Sequence, residues 1–207
     1  MPLASDSDQG SVAYYEENAD QFVSDTLNVD MSELHRRFLD LIPRGGRILD
    51  AGCGSGRDSK AFLNAGYEVV SIDASSKMVA ATSALTGHTA LKISFQEMSF
   101  VNEFDGIWAC ASLLHVPRSM LAAVLLRLEQ ALKPGGHLYM SFKYGDSERV
   151  EAGRCFNDLN EYLLRDFVGR CLSLRVILMW TSPDARPGRP ITWLNAISQK
   201  DGSIAVI

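Results

Sequence analysis

The chain has 207 residues, of which 46% are hydrophobic and 22% are charged, and its formal net charge is −5. At roughly 150 residues per domain, this composition predicts one globular α/β domain. The longest apolar run, Met120 to Leu126, is far shorter than the ~18 residues that cross a bilayer, and the first residues lack the pattern of a signal peptide. We therefore expect a cytoplasmic protein, and the mild acidity argues against nucleic-acid binding by overall charge.

Four cysteines lie far apart in the sequence, at Cys53, Cys110, Cys155 and Cys171. They form no Cys-x-x-Cys pair, so their spacing favours neither a disulfide framework nor a zinc site. We therefore expect free thiols and no bound metal.

The N-terminal region is predicted to be helical after a short tail. Residues 1–10 are rich in Ser and Asp and are expected to be disordered. Over residues 11–27, apolar side chains recur at three- and four-residue steps, which predicts an amphipathic helix. A second helix follows a cap at Asp30 or Ser32 and ends before Pro43.

The central part of the chain alternates short apolar runs with helical stretches. Strands are predicted at 47–51, 68–72, 90–95, 104–110 and 137–142, and helices at 56–64, 75–85 and 119–132. Such alternation implies a parallel sheet that is covered on both faces.

The last third departs from this pattern. It is predicted to hold a helix over residues 158–168 and two strands, residues 172–180 and 191–198, which a short turn-rich loop joins. Strands joined so closely pair antiparallel, because a parallel return needs a dozen or more residues. The sheet is therefore expected to be mixed, with one reversed strand near an edge.

A glycine-rich turn, DAGCGSGR at residues 50–57, joins the first predicted strand to the next helix. Glycines there let the backbone turn sharply and approach a ligand closely, although such a turn is also common without a ligand. Two acids accompany it, since Asp50 ends the first strand and Asp73 ends the second. An acid at the position of Asp73 can accept hydrogen bonds from both hydroxyls of a ribose, which indicates an adenosine-type ligand.

The spacing of the glycines distinguishes among adenosine ligands. A dinucleotide-binding turn reads G-x-G-x-x-G, and its third glycine would fall where this chain has Arg57. The observed G-x-G-x-G follows Asp50, whose carboxylate would repel a pyrophosphate and attract an ammonium group. S-adenosylmethionine is the adenosine ligand with a cationic amino-acid tail, so the spacing disfavours a nicotinamide oxidoreductase.

Several separated motifs resemble those of the class I S-adenosylmethionine-dependent methyltransferases. Besides the glycine turn and Asp73, they are FDGIW at residues 104–108 and LKPGG at residues 132–136. The resemblance covers about residues 40–145. It implies an α/β fold with a doubly wound, Rossmann-like, seven-stranded and mostly parallel sheet, an antiparallel terminal strand and N-terminal capping helices. The loop around Gly54 is also similar to the tellurite-resistance methyltransferase type.

The resemblance implies a set of cofactor contacts at the ends of the first four strands. The expected cofactor-binding residues are Asp50, Gly52, Cys53, Gly54, Gly56, Asp73, Ala74, Gln96, Glu97, Met98, Ala109 and Cys110. In this family the glycines line the methionine portion, and Asp50 would hold its amino group directly or through water. Asp73 would take the ribose, while Gln96 or Glu97 would hydrogen-bond the adenine beside Met98.

The candidate catalytic residue is His115, which follows the fourth strand at the ligand-binding edge. Methyl transfer from a sulfonium is an in-line displacement with a good leaving group, so the protein mainly aligns the reactants and excludes water. A histidine here can also simply cap or pack beneath the next helix. Cys110 could be a nucleophile or a small packed residue. Tyr14 and Tyr15 either close over the cofactor or serve as core aromatics.

Basic residues are concentrated in the last part of the chain. Residues 1–126 carry 9 basic and 16 acidic side chains, whereas residues 127–207 carry 11 basic and 9 acidic ones. The loops after the fifth strand and between the last two strands should overhang the ligand edge of the sheet. The candidate contacts to an anionic substrate are Lys143, Arg149, Arg154, Arg186 and Arg189, with Tyr14 and Tyr15 beside them. The alternative is that these cations pair with the acids Asp146, Glu148, Glu151 and Asp184.

The sequence therefore predicts a methyltransferase that transfers the methyl group of S-adenosylmethionine to a small, anionic acceptor and releases S-adenosylhomocysteine. Its single domain spans residues 11–207, with N-terminal helices (11–42), a cofactor-binding core (46–145) and substrate-side elements (146–207). We expect no membrane partner and a monomer or homodimer. A tRNA or RNA methyltransferase and a non-catalytic S-adenosylmethionine-binding regulatory module are the alternatives.

Overall fold

A computed structural model describes residues 6–202 of the chain. Its helices are α1 (Asp6–Glu17), α2 (Ala19–Thr26), α3 (Ser32–Leu39), α4 (Arg57–Asn64), α5 (Ser76–Thr86), α6 (Arg118–Ala131) and α7 (Glu161–Val168), with a 3₁₀ turn at Leu113–His115. Its strands are β1 (Arg47–Ala51), β2 (Glu68–Asp73), β3 (Leu91–Lys92), β4 (Phe104–Ala109), β5 (Leu132–Lys143), β6 (Glu148–Glu151), β7 (Arg154–Asn157), β8 (Leu174–Pro183) and β9 (Thr192–Lys200). Within the described range, no helix has the length and apolar character to span a membrane.

A seven-stranded sheet with the order β3-β2-β1-β4-β5-β9-β8 forms the centre of the fold. Strand β9 runs antiparallel to β5 and β8, and the other neighbouring pairs are parallel. The predicted doubly wound, Rossmann-like, mixed sheet is therefore confirmed. The strand order reverses between β1 and β4, and in open α/β sheets ligands bind at the carboxyl ends of the strands beside such a point.

Helices bury an apolar layer on each face of this sheet. Helices α6 and α7 belong to the layer that contains Ile107 of β4. On the other face, Phe38 of α3 and Phe62 of α4 pack against Trp108. The indole of Trp108 stacks on Tyr139 of β5, with ring centroids 3.9 Å apart. Successive residues of β4 therefore serve opposite layers, as the pleat of a strand requires, and burial of each large side chain contributes about 1.5–3 kcal/mol.

The N-terminal segment differs from the prediction of a tail over residues 1–10 and one helix over residues 11–27. Helix α1 already begins at Asp6, and the residues before it lie outside the described range. A break at Asn18 separates α1 from α2. The side-chain amide of Asn18 donates to the carbonyl of Tyr14 at 2.9 Å, which satisfies an acceptor at the end of α1 and ends that helix.

The third strand is shorter than the predicted residues 90–95, because β3 pairs with β2 only at Leu91 and Lys92. The chain turns at Ser94, whose backbone N–H and hydroxyl donate to the Glu97 carboxylate at 3.0 and 2.7 Å. Side chains that bond the backbone locally compete with strand pairing. Since β3 is an edge strand, it pairs only with β2, and the turn at Ser94 therefore interrupts pairing with one strand only.

A hairpin that the sequence analysis missed follows β5. Strands β6 and β7 pair antiparallel from Glu148 opposite Asn157 to Glu151 opposite Arg154. The two residues that join them, Ala152 and Gly153, have φ of 49° and 78°, as tight hairpin turns require. Strand β7 packs against α1, so the hairpin and the N-terminal helices support one another.

Candidate functional site

A cavity of about 390 Å³ lies at the carboxyl ends of β1, β2, β4 and β5. Residues of α1 and α2 cover it, and β7 and the loop between β8 and β9 close its far end. This position coincides with the point at which the strand order reverses. The topology of the sheet and the shape of the surface therefore indicate the same ligand site.

The glycine turn forms the wall of the cavity at the end of β1, where Gly52 and Gly54 line it. Gly54 has φ +52°, and a β-carbon on it would lie 3.1 Å from the ring of Phe22 in α2. Gly56 does not line the cavity. Its φ is +80°, and a β-carbon there would lie 2.9 Å from Cα of Thr82 in α5. This third glycine permits close packing with α5, and its predicted contact with the methionine portion stays a prediction.

Asp73, at the end of β2, is hydrogen-bonded by the backbone around it. The Gly54 N–H donates to Oδ2 at 3.0 Å, and the Ser75 N–H donates to Oδ1 at 2.9 Å. Burial raises the pKa of Asp73, and these backbone donors oppose that rise. Each carboxylate oxygen keeps a second acceptor position, so the side chain can still receive two hydroxyl groups.

The covering helices are bonded to the same edge of the sheet. The carboxylate of Glu16 in α1 accepts the N–H of Ser76 at the beginning of α5. The hydroxyl of Thr26 in α2 donates to the hydroxyl of Ser55 in the glycine turn at 3.2 Å. A carboxylate at a helix N-terminus is stabilised by the unpaired N–H groups there. The cover is therefore held by polar bonds as well as by apolar packing.

A buried acid, Asp58, organises the region beneath the glycine turn. Its carboxylate accepts hydrogen bonds from Trp108 Nε1 and His35 Nε2, each at 2.9 Å, and from two nitrogens of Arg57, each at 2.8 Å. Burial alone would raise the pKa of Asp58. The Arg57 charge and the hydrogen bonds outweigh burial, however, and hold that pKa well below its ordinary value.

Asp50 was expected to hold the amino group of the cofactor, but it lies behind the turn and does not line the cavity. Its side chain is buried, and its carboxyl accepts the Ser59 hydroxyl at 2.6 Å. Burial and the neighbouring charge of Asp58 raise the pKa of Asp50. This acid therefore supports the turn from beneath, and a contact with the amino group through water stays a prediction.

The predicted adenine contacts divide between the cavity and its surroundings. Gln96 lines the cavity together with Phe95. Glu97 is exposed, and its carboxylate accepts hydrogen bonds from Ser94. Met98 is 2% exposed and packs in the core. Gln96 is therefore the member of the predicted pair that reaches the site. Phe95, which the sequence analysis missed, supplies an apolar wall where Met98 was expected.

The cysteines near the end of β4 and in the glycine turn carry protonated thiols. Burial raises the pKa of Cys110 to about 12 and also raises the pKa of Cys53. Since the thiolate is the nucleophilic form, neither thiol is activated for attack. Both line the cavity, whereas the side chain of Ala109 is fully buried in the core, so its predicted backbone contact stays a prediction.

Both ring nitrogens of His115 are hydrogen-bonded. Nδ1 lies 2.8 Å from the carbonyl oxygen of Cys155, so Nδ1 carries the proton and donates it. Nε2 therefore accepts the hydroxyl of Tyr15, also at 2.8 Å. Burial lowers the pKa of His115 to about 4; the bond to Cys155 opposes this shift, and the charges of Arg154 and Lys143 add to it. His115 is thus neutral, with its lone pair directed at Tyr15.

Three of the five predicted cations have acidic partners. Arg149 pairs with Asp158 and Glu151 and does not line the cavity, which favours the alternative of pairing with nearby acids. Arg186 lines the cavity, but Asp184 holds its guanidinium through bonds of 2.9 and 2.6 Å. Arg189 also lines the cavity, and its Nη2 lies 3.9 Å from a carboxylate oxygen of α2.

The other two cations, Lys143 and Arg154, line the cavity around an aromatic ring. Lys143 Nζ lies 3.7 Å, and Arg154 Cζ 5.0 Å, from the ring centroid of Phe156. Arg154 Cζ also lies 3.9 Å from the ring centroid of Tyr14. Cation–π contacts of this kind contribute about 0.5–2 kcal/mol each and hold the charged groups in place.

Most of the predicted site residues come together in this one cavity. Those that line it are Tyr14, Tyr15, Gly52, Cys53, Gly54, Asp73, Ala74, Gln96, Cys110, His115, Lys143, Arg154, Arg186 and Arg189. Those that do not are Asp50, Gly56, Glu97, Met98, Ala109 and Arg149. Lining residues that the sequence analysis missed include Phe22, Phe95, Ser112, Phe156, Trp193 and Asn195. Apolar periodicity gave no signal for them, because it does not separate a cavity wall from a core.

Comparison with known proteins places the glycine turn and the strands around it in a described family. Residues 48–136 match the family model described as methyltransferase domain. The chain is 29% identical over 108 residues to a ubiquinone biosynthesis O-methyltransferase of Xanthomonas axonopodis pv. citri, and 30% identical over 104 residues to that of Dechloromonas aromatica. These matches cover 49% and 47% of this chain, and 44% of each relative, so the chain spans less than half the length of these curated relatives.

Solved structures share nearly the whole fold. The 1,6-didemethyltoxoflavin-N1-methyltransferase of Burkholderia thailandensis, with bound 1,6-didemethyltoxoflavin and S-adenosylhomocysteine, has a TM-score of 0.78 at 21% identity and covers 97% of this chain and 92% of its own. Magnesium protoporphyrin IX methyltransferase of Synechocystis, with bound S-adenosylmethionine, has a TM-score of 0.72 at 15% identity, with coverage of 97% and 100%. The [4+2]-cyclase SpnF has a TM-score of 0.75 at 15% identity, with coverage of 98% and 99%.

The family-model match over less than half of the chain and the shared fold support a class I S-adenosylmethionine-dependent methyltransferase. The match to the family model includes the glycine turn, Asp73 and His115, but it ends before Lys143 and the hairpin. The cationic side of the cavity and the covering helices α1 and α2 are therefore outside the matched residues. The narrower resemblance to the tellurite-resistance methyltransferase type stays a prediction.

Replacement of Gly56 tests the packing of the glycine turn. We expect Gly56→Ala to lower the free energy of unfolding by about 2–4 kcal/mol, because both a positive φ and a contact with Thr82 oppose the β-carbon. Gly66→Ala is the matched control, since Gly66 has φ +86° and nothing within 4 Å of the added carbon. It should cost only about 1 kcal/mol. Equal losses in denaturant unfolding would contradict the packing role.

The protonation of His115 can be followed by NMR. We expect the imidazole to remain in its neutral Nδ1–H form from pH 8 to about pH 5 and to titrate near the pKa of about 4. Because this pKa lies below the unfolded value of about 6.5, stability from neutral His115 is present above that pH and is lost as the pH falls towards 4. His115→Gln supplies the assignment and should lose this part of the pH dependence. A proton gained near pH 6.5 would contradict the assignment of both nitrogens.

Proposed function

We propose that this protein transfers the methyl group of S-adenosylmethionine to a small, anionic acceptor and releases S-adenosylhomocysteine. The observation that carries the proposal is that one covered cavity joins the family's glycine turn and Asp73 to a group of cationic side chains. Relatives named as O-methyltransferases of ubiquinone biosynthesis and a neighbour with bound 1,6-didemethyltoxoflavin support a small-molecule acceptor. Small-molecule sites typically have volumes of about 300–1,000 Å³, which includes that of this cavity.

The residues at the carboxyl ends of β1 and β2 fit the cofactor. Asp73 would accept the ribose hydroxyls, and the backbone at Gly52 and Gly54 would lie along the methionine portion. The backbone of the turn has no room for side chains, since a β-carbon on Gly52 would lie 2.5 Å from Cβ of Ser112. S-adenosylmethionine, when bound, supplies a methyl group activated by a sulfonium. Phe95 and Gln96 would flank the adenine.

The strand order indicates where the acceptor would bind relative to the cofactor. Ribose binding at β2 and methionine binding between β1 and β4 leave the end of β5 for the acceptor, because these strands are neighbours in that order. The 3₁₀ turn after β4, which carries His115, lies between the two halves. The protein aligns the acceptor with the methyl group, and the cover over the cavity excludes water from the reaction.

We propose that Tyr15 receives the proton of the acceptor and that His115 acts behind it. Both nitrogens of His115 are engaged, whereas the Tyr15 oxygen donates to Nε2 and is hydrogen-bonded by Arg154, which leaves one of its two lone pairs for the acceptor. As the attacking atom bonds the methyl group, it becomes more acidic and gives its proton to Tyr15, which passes its own proton to Nε2. The carbonyl of Cys155 then accepts from the other ring nitrogen of the imidazolium.

The alternatives make different predictions for the same purified protein. An RNA methyltransferase would release S-adenosylhomocysteine only with RNA, and the cover of α1 and α2 over the site favours a small acceptor instead. A regulatory module would bind S-adenosylmethionine without turnover. The fold of the [4+2]-cyclase SpnF shows that this architecture also occurs in a protein named for a different reaction, so turnover must be measured directly.

Replacement of Asp73 tests cofactor binding. We expect wild-type protein to bind S-adenosylhomocysteine but not NAD in calorimetry, and Asp73→Ala to bind it about tenfold to a hundredfold more weakly, because hydrogen bonds to a carboxylate are lost. Asp105→Ala is the matched control, since Asp105 also accepts a backbone N–H, from Arg47 at 2.8 Å, but does not line the cavity. Wild-type affinity in Asp73→Ala would refute the cofactor assignment.

Replacement of Tyr15 tests the route of the proton. A panel of hydroxybenzoates, aminobenzoates and their neutral amides, assayed for S-adenosylhomocysteine release, should show turnover of the anionic members. With such an acceptor, Tyr15→Phe should lower kcat about a hundredfold or more and leave S-adenosylhomocysteine affinity unchanged. The control is Tyr144→Phe, which removes an exposed hydroxyl bonded to Glu161 at 3.0 Å. An unchanged kcat in Tyr15→Phe would exclude this route.

A further inference from the structure

Lys143 and Arg154 differ from the other cations of the cavity in their partners. Arg57 is held by Asp58 and Arg186 by Asp184, in each case through two guanidinium nitrogens. Among the described side chains, no carboxylate forms an ion pair with Lys143 or Arg154. Both nevertheless lie in the cavity, where a charge without a counterion is unfavourable.

Three cations surround one ring. Phe156 lies 3.7 Å from Lys143 Nζ, 5.0 Å from Arg154 Cζ and 5.2 Å from Arg149 Cζ, all measured to the ring centroid. Burial and the charges of Arg149 and Arg154 lower the pKa of Lys143, and the charges of Asp158 and Glu151 oppose this shift. Arg149 itself pairs with Asp158 and Glu151 and does not line the cavity. Lys143 and Arg154 are therefore held close together at the cavity by this ring with only partial compensation from nearby acids, and an anion would offset their charges.

One donor of this pair is also unsatisfied. Arg154 Nε is buried, and within the described part of the chain it has no hydrogen-bond partner. Buried N–H groups in native proteins are almost always bonded, so a donor of this kind indicates a missing acceptor. An oxyanion suits the site, because the planar guanidinium can present two parallel N–H groups to a carboxylate or phosphate while a lysine adds a point charge.

The position of the pair distinguishes the two anions that the cavity could receive. Lys143 ends β5, whereas Asp73 ends β2, and β1 and β4 lie between these strands. The carboxylate of the cofactor belongs to the methionine portion, which the glycine turn at the end of β1 would hold. Phe156 also packs on His115, with ring centroids 5.1 Å apart, so the two cations lie beside the proposed proton route.

We propose that Lys143 and Arg154 form a subsite for an oxyanion of the acceptor, a carboxylate or a phosphate. The subsite presents the nucleophilic atom of the acceptor next to Tyr15, while Phe156 keeps both cations in place. This inference rests on the proposed function of the cavity as an acceptor site. Arg149, Arg186 and Arg189 are not part of the subsite.

Calorimetry with benzoate and with inorganic phosphate, on protein saturated with S-adenosylhomocysteine in chloride buffer of low ionic strength, tests the subsite without knowledge of the acceptor. Wild-type protein should bind at least one of the two anions and bind benzamide at least tenfold more weakly than benzoate. Lys143→Met and Arg154→Met should each weaken anion binding about tenfold or more. The controls are Lys133→Met, at the other end of β5, and Arg170→Met, at an exposed position just after α7, and both should bind like wild type.

Two further readouts separate this subsite from other roles. Bound anion should raise the pKa of His115 in the NMR titration, because it offsets the charges of Lys143 and Arg154; a merely structural role for these residues would not produce this shift. If the cations instead hold the carboxylate of the cofactor, both variants will lose affinity for S-adenosylhomocysteine at least tenfold and keep their affinity for methylthioadenosine. That result overturns the inference, as does the absence of anion binding by wild-type protein. Neither result depends on turnover, so a failure of this inference can be distinguished from a failure of the proposed methyl transfer.

Discussion

The ionised carboxylate of Asp58 is the constraint on which the geometry of the cavity depends. It lies at the beginning of α4 and receives donors from α3, from β4 and from its own helix. A buried charge costs several kcal/mol unless it is paired and hydrogen-bonded, so these three elements must meet at one point for the fold to be stable. The glycine turn is the segment that immediately precedes Asp58 in the sequence. Its conformation is therefore set by a hydrogen-bonded group of side chains, of which Arg57 and Asp58 also line the cavity.

This arrangement also explains which parts of the site could be predicted from the sequence. The strand and helix order and the mixed sheet followed from local periodicity and loop length, and Gly54 and Asp73 followed from their positions at strand ends. The burial of Asp50 did not, because it depends on the tertiary position of β1 between β2 and β4. The hairpin did leave a local signal, since Gly153 lies between two short runs that can pair, but the charged residues around it resemble a loop. The partners of the cations are tertiary contacts and have no signature in the sequence.

The cavity combines two opposite electrostatic environments within a small volume. Around β1 and β2, buried acids and backbone N–H groups surround the turn, and hydrogen bonds within the protein compensate the acidic side chains. Around β5 and β7, positive charge is held on aromatic rings without complete neutralisation. The first environment is complete before a ligand binds, whereas the second becomes favourable only with an anion. Matched residues of the family model cover the first, and the second lies beyond them.

The way in which α1 is fastened has a consequence for access to the cavity. The same helix bonds the beginning of α5 through Glu16, the 3₁₀ turn through Tyr15 and the hairpin through Ser11, whose hydroxyl accepts the N–H of Cys155 at 3.0 Å. One helix thus covers both halves of the cavity, so a displacement of α1 would expose the two halves together.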